Sequence, residues 1–160
     1  MAVATVTPDQ DSIISEVEIA APPERVFQAL SDPKQLIQWW NSERCPCEGW
    51  QFDARPGGKW HASFKGDEKA QVNYGIAAFD HKGEILEIDP PRLLVYSWFA
   101  NFHEDPAIRN VVRWELTATG QGTKVKVTHS GLSKLPKSRK DYAGGWPGVV
   151  AQLKAFAEKG

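Results

Sequence analysis

The sequence is poor in cysteine, nearly neutral, and without a long apolar run, and each shortage removes a class of protein. Lys and Arg number 19 against 20 Asp and Glu, a formal net charge of −1. No overall field therefore draws the chain to nucleic acid or to an anionic membrane surface. The longest apolar stretch falls far below the roughly 20 residues of a membrane span. The two cysteines, Cys45 and Cys47, are separated only by Pro46. A disulfide between them would be strained, and as zinc ligands they are half a set. They read as two reduced thiols in a loop. The chain has no histidine pair at helical spacing and no Gly-x-Ser-x-Gly turn. Gly120-Gln121-Gly122 resembles half of a nucleotide-binding glycine loop, but no helix follows it. Neither a metal nor any other cofactor is expected. Met1 to Gln10 lacks the basic start and apolar run of a secretory signal. Residues 1–11 are expected to form a flexible tail and residues 12–160 a single domain, cytoplasmic by default.

Aromatic side chains, by contrast, are abundant: seven Trp, seven Phe and three Tyr. Rings in this number either fill a core or line a pocket, and their placement depends on the strands and helices that carry them.

Alternation locates the strands. In Ser12 to Ala20, Ile13, Val17 and Ile19 share one face and Glu16 and Glu18 the other. Pro22-Pro23 then opens a short helix, with Glu24 near its positive end and Val26, Phe27 and Leu30 as its apolar stripe. Asp32-Pro33 ends that helix and starts a second, carrying Leu36, Ile37 and Trp40. Further strands are expected at Gly49 to Ala54, Lys59 to Lys65, Gln71 to Asp80, Glu84 to Asp89 and Leu93 to Ala100, with His81-Lys82-Gly83 read as a turn. Trp60 and Phe64 share a face of the second of these, and Tyr74 and Ile76 a face of the third. Asn110 to Ala118 and Thr123 to His129 form a hairpin around the glycines 120 and 122. Trp114 and Leu116 lie on one of its faces, as do Val127 and His129.

The last segment is helical. Trp146, Val149, Val150, Leu153, Phe156 and Ala157 fall on one face, and Ser138 with Asp141 fits a helix start. Gly144, Gly145 and Gly148 each cost roughly 1 kcal/mol relative to Ala, and an interior Pro147 about 3. A bend or a fresh start near Pro147 is therefore expected, with free space opposite. The fold class is α+β: a curved antiparallel sheet of about six to seven strands gripping the long C-terminal helix, with two short helices after the first strand.

Four features make the chain resemble the START-like (SRPBCC, helix-grip) superfamily. Within it the chain is similar to the family of the C-terminal domain of the activator of the heat-shock-protein-90 ATPase. They are Ala21-Pro22-Pro23-Glu24-Arg25-Val26-Phe27 followed by Leu30, Asp32 and Pro33; the pair Trp39-Trp40; the turn Pro56-Gly57-Gly58-Lys59-Trp60; and Gly145-Trp146 followed by Leu153 and Phe156. The resemblance implies a cavity between sheet and helix, which in many members of the superfamily holds a hydrophobic molecule. Family members often continue the paired Trp with Gly-Pro. Here Asn41-Ser42-Glu43-Arg44-Cys45 follows, at a loop that commonly lies near the cavity mouth.

The candidate ligand-binding wall is Trp40, Trp60, Phe64, Tyr74, Ile76, Trp114, Leu116, Val127, His129, Trp146, Val149, Val150 and Leu153. His129 is its most polar member: a hydrogen-bonded structural histidine, or a donor that orients a ligand. The leading functional reading is a non-enzymatic protein that binds a small hydrophobic or aromatic molecule. One alternative, from the resemblance, is a module that docks on a chaperone and activates its ATPase. Another is a cyclase- or hydrolase-type enzyme, which needs a second polar group beside His129; no catalytic residue is assigned.

Overall fold

A computed structural model gives the fold and describes residues 3–41, 46–68, 72 and 75–159. The elements are β1 Ala4–Val6, β2 Ile13–Ile19, α1 Pro23–Ser31, α2 Pro33–Trp39, β3 Cys47–Phe52, β4 Lys59–Lys65, β5 Ala78–Asp89, β6 Leu93–Ala100, β7 Asn110–Thr119, β8 Gly122–Ser130 and α3 Pro136–Glu158. The strands make one curved antiparallel sheet of eight, in the order β1-β2-β8-β7-β6-β5-β4-β3. The long helix α3 packs against β1, β2, α1 and α2. The α+β class is as expected, with eight strands where six to seven were expected.

Strand β1 falls in the segment expected to be a flexible tail, and the two strands expected at 71–80 and 84–89 are replaced by the single β5. Val6 pairs with Ile13 and Ala4 with Ser15, and both Ala4 and Val6 pack on the core. The Asp11 carboxylate accepts hydrogen bonds from the backbone N–H of Gly131 and of Ser133. It ties the turn between β1 and β2 to the loop after β8. Three residues of alternation are too few to register in a sequence pattern.

The turn expected at 81–83 is absent, because β5 runs unbroken through it. Gly83 lies opposite Trp60, whose indole crosses above it to donate to the Ser97 carbonyl at 2.9 Å. A Cβ at Gly83 would stand 1.8 Å from that carbonyl oxygen and 2.4 Å from the Trp60 Nε1. The glycine thus serves a close approach inside a strand rather than a turn. The strand begins at Ala78, so Ile76 lies half-buried in the irregular stretch ahead of it. Tyr74 and Cys45 lie outside the described residues. Cys47, read as a loop residue, opens β3.

Both short helices form as expected. Pro23 and Pro33 occupy their first turns, and the Asp32 carboxylate caps α2 by accepting from the Lys34 N–H at 2.9 Å. The Trp39 indole donates to the Ala29 carbonyl at 2.7 Å and joins α2 to α1.

The helix α3 is continuous from Pro136 to Glu158 with Pro147 inside it, so it begins near Ser138 as expected and no new start is found at Pro147. Its first turn is held from outside. Glu104, in the β6–β7 connection, accepts from the backbone N–H of Lys137 at 2.7 Å and of Ser138 at 3.1 Å, and from the Ser138 hydroxyl. Ser138 therefore donates to the cap instead of being it. The apolar face is the expected one. Trp146, Val150, Leu153 and Ala157 are buried, with Val149 and Phe156 half-buried beside them. Gly144, Gly145 and Gly148 are exposed, with no atom near the place a Cβ would take. At 100° per residue, Gly144 and Gly148 stand on the far side of the helix from Trp146. The free space expected opposite the glycines is therefore solvent and not an interior cavity.

An aromatic cleft over His81

The inward side of the sheet is filled with rings. Trp39, Trp50, Trp60, Trp98, Trp114 and Trp146 are all buried. Trp40, half-buried, stands among them, with ring centroids 5.2 Å from Trp39 and Trp50, 5.9 Å from Trp146, 6.0 Å from Trp98 and 6.4 Å from Trp114. Of the candidate wall, Trp60, Trp114, Leu116, Val127, Trp146, Val150 and Leu153 come together in this core. Phe64 and Val149 pack on its margin.

His129 is fully buried. Its Nδ1 accepts from the Trp146 indole N–H at 3.1 Å, so its proton resides on Nε2, which donates to Asn110 Oδ1 at 2.5 Å. Burial, then the neighbouring His103 and His81, holds its pKa well below the ordinary value. Both nitrogens serve protein partners, and the side chain links β7, β8 and α3. His103 is buried as well. Its Nε2 lies 2.6 Å from the Tyr142 hydroxyl, which accepts from the Trp98 indole at 3.0 Å. Burial, opposed by Glu104, pushes the His103 pKa down to about 4.

Beside this core opens a cleft of about 290 Å³ lined by Trp40, Asn41, Phe64, Phe79, His81, Phe102 and Gln152. Trp40 and Asn41 come from the end of α2, Phe64 from β4, Phe79 and His81 from β5, Phe102 from the loop after β6, and Gln152 from α3. Cross-strand pairing sets the rings. Phe64 pairs with Phe79, and His81 lies between Ala62 and Ala100. Two alanines leave room for the imidazole. Trp98, Phe64 and Phe102 surround it, with centroids at 5.1, 5.5 and 5.5 Å. His81 is 9% exposed, and its Nδ1 is buried with no hydrogen-bond partner. Burial first, then His103 and His61, lowers its pKa to about 3, against a smaller opposing effect of the Ala62 backbone. It is a neutral imidazole, and none of the described residues lining the cleft carries a charge. Gln152 donates to the Asn41 backbone carbonyl at 2.6 Å and joins α3 to the end of α2.

Sequence reasoning placed Trp40 and Phe64 in the site and missed Phe79, His81, Phe102 and Gln152. The signal for two of them was present. Phe79, His81, Gly83 and Ile85 alternate without a break once the glycine is read as part of a strand. Phe102 and Gln152 carry no such signal, because they reach the cleft from a loop and from a half-polar flank of α3.

A curved antiparallel sheet holding a C-terminal helix, with two short helices after the first long strand, is the helix-grip architecture of the START-like (SRPBCC) superfamily. The family model described as Activator of Hsp90 ATPase homolog 1-like protein matches residues 20–158, and the chain belongs to that family. Comparison with curated proteins finds no match. Among solved structures, the chain is similar to a protein of Arthrobacter aurescens (17% identity, 98% of this chain and 91% of that one, TM-score 0.79). It is similar also to proteins of Rhodobacter sphaeroides (17%, 99% and 96%, 0.77) and Chromobacterium violaceum (24%, 92% and 97%, 0.75). At these identities the likeness is one of fold.

Proposed function

We propose that the chain binds a small, uncharged aromatic molecule in the cleft over His81 and holds it without transforming it. The observation that carries this reading is His81, an imidazole whose buried Nδ1 makes no hydrogen bond, among the residues that line a ring-walled cleft. A buried polar atom without a partner costs about 1–3 kcal/mol. A ligand hydroxyl or ring N–H aligned with it recovers that cost, while Trp40, Phe64, Phe79 and Phe102 bury the apolar body. A charged ligand would be desolvated with no counter-charge among the described lining residues to meet it. His81 is the sole titratable group among the described residues lining the cleft, which favours holding over acid–base turnover.

Titration with 2-naphthol and with 2-naphthoate, followed by tryptophan fluorescence, tests this. The neutral compound is expected to bind and the carboxylate not. Replacing His81 with Phe should weaken 2-naphthol by about ten-fold, the worth of one buried hydrogen bond. Equal binding of both compounds, or an unchanged affinity in His81→Phe, would remove the reading. Stimulation of a chaperone ATPase by a chain that binds neither compound would put the co-chaperone reading in its place.

A further inference from the structure

Six of the seven tryptophans are buried, and five of those are pinned by an indole hydrogen bond. Trp39 donates to Ala29, Trp60 to Ser97, Trp98 to Tyr142, Trp114 to Tyr96 and Trp146 to His129. Trp50 is held in the core with its Nε1 buried. Trp40 shares with Trp50 the lack of an indole hydrogen bond among the described residues, and differs from all six in its exposure. It is half-buried, and among the described residues only ring contacts hold its indole. Its backbone has already left helical geometry, at φ −88° and ψ 74°.

The position of that ring gives the difference a consequence. Trp40 lines the cleft on one side and on the other meets Trp98, Trp114 and Trp146 of the core. It is the partition between the two. Its neighbours form a slot for a flat two-ring body: Trp39 lies nearly parallel to it at 27°, while Trp114 and Trp146 present edges at 82° and 64°. A slot that an indole fills by ring contact alone suits a free bicyclic ring equally well.

We infer that Trp40 is an internal plug, and that the molecule bound over His81 is a planar bicyclic aromatic which displaces the Trp40 indole and takes its slot. This rests on the binding reading given above and adds to it a ligand class and a motion. No hydrogen bond among the described residues opposes the swing of the ring, and its departure joins the cleft to the faces of Trp98, Trp114 and Trp146. An apolar space of about 150 Å³ walled by hydrophobic side chains stays dry and takes up an aromatic ring. The plugged conformer reduces the apparent affinity by the fraction of time the slot is open, so removing the plug should tighten binding.

The test uses indole as the probe and the full chain labelled with 5-fluorotryptophan, its Trp40 fluorine resonance assigned by its loss in Trp40→Phe. Saturating indole should move the Trp40 line toward the shift of a water-exposed indole. Calorimetric titration should show Trp40→Ala binding indole at least about ten-fold more tightly than wild type, for an open state populated at about 10% or less. Where the alanine variant does not fold, Trp40→Phe replaces it, with an expected gain of about three-fold from the smaller ring. Indole binding to wild type with the Trp40 line unmoved overturns the plug and leaves the cleft reading standing. So does a folded variant that binds no more tightly than wild type. Tight binding by Trp40→Ala with none by wild type upholds the plug and removes the cleft reading. Binding by neither removes both.

Discussion

His129 and His81 sit on the same side of the sheet, yet the chemistry around them divides their roles. His129 gives one nitrogen to Trp146 and the other to Asn110, while His81 keeps a buried Nδ1 without a partner. The sequence placed His129 on an apolar face, and that much was legible from Val125 and Val127. Its partners were not, because Asn110 sits at the far end of the paired strand and Trp146 on a different element. The prediction that belongs at this scale concerns Asn110. Asn110→Ala leaves the His129 Nε2–H buried and unpaired, which should cost about 1–3 kcal/mol. Urea denaturation should show that loss as a lower midpoint with an unchanged slope.

At the scale of the element, α3 is the clearest test of reasoning from propensity. Its apolar face was legible because six residues keep the helical period. The meaning of its glycines was not. Propensity says what a glycine costs, whereas only the three-dimensional packing says which way its missing side chain would point. Gly145 points into open space. Gly145→Ala should therefore stabilise the protein by about 0.5–1 kcal/mol, seen as a raised thermal midpoint with indole or naphthol binding unchanged. Had the glycine faced a cavity, the same substitution would have reduced ligand binding. The misread turn at 81–83 has a related origin. Lys82-Gly83 looks like a turn when read alone, and only the position of Trp60 across the strand gives the glycine a different purpose. The edge strand β1 escaped notice for a simpler reason, its three residues being too short to show a period.

Seen whole, the molecule keeps three neutral histidines beneath its sheet, and that governs its response to acid. Burial lowers the pKa of His81 to about 3 and of His103 to about 4, and depresses that of His129 as well. In the unfolded chain each returns to about 6.5. The folded state thus binds fewer protons than the unfolded state between those limits. Stability is complete above about pH 6.5 and declines as the pH falls toward 4, each histidine contributing up to about 1.4 kcal/mol per pH unit. Denaturation midpoints measured from pH 7.5 to 4.5 should fall steadily, and His81→Phe should make the decline shallower. A flat profile would mean that the imidazoles are open to water. The order of elements was readable from alternation and prolines; the way seven tryptophans share one interior was not, since a ring count does not say which rings touch.

The crossing of Trp60 over Gly83 to Ser97 engages three neighbouring strands at once, and its consequence is one of register. A strand slipped by one residue turns every side chain to the opposite face. Here a slip of β5 in either direction would bring Lys82 or Glu84 beneath the indole, where a Cβ has no room. The ring therefore acts as a gauge that only one alignment of β4, β5 and β6 can pass, and that alignment is the one which brings Phe64, Phe79 and His81 to the same cleft.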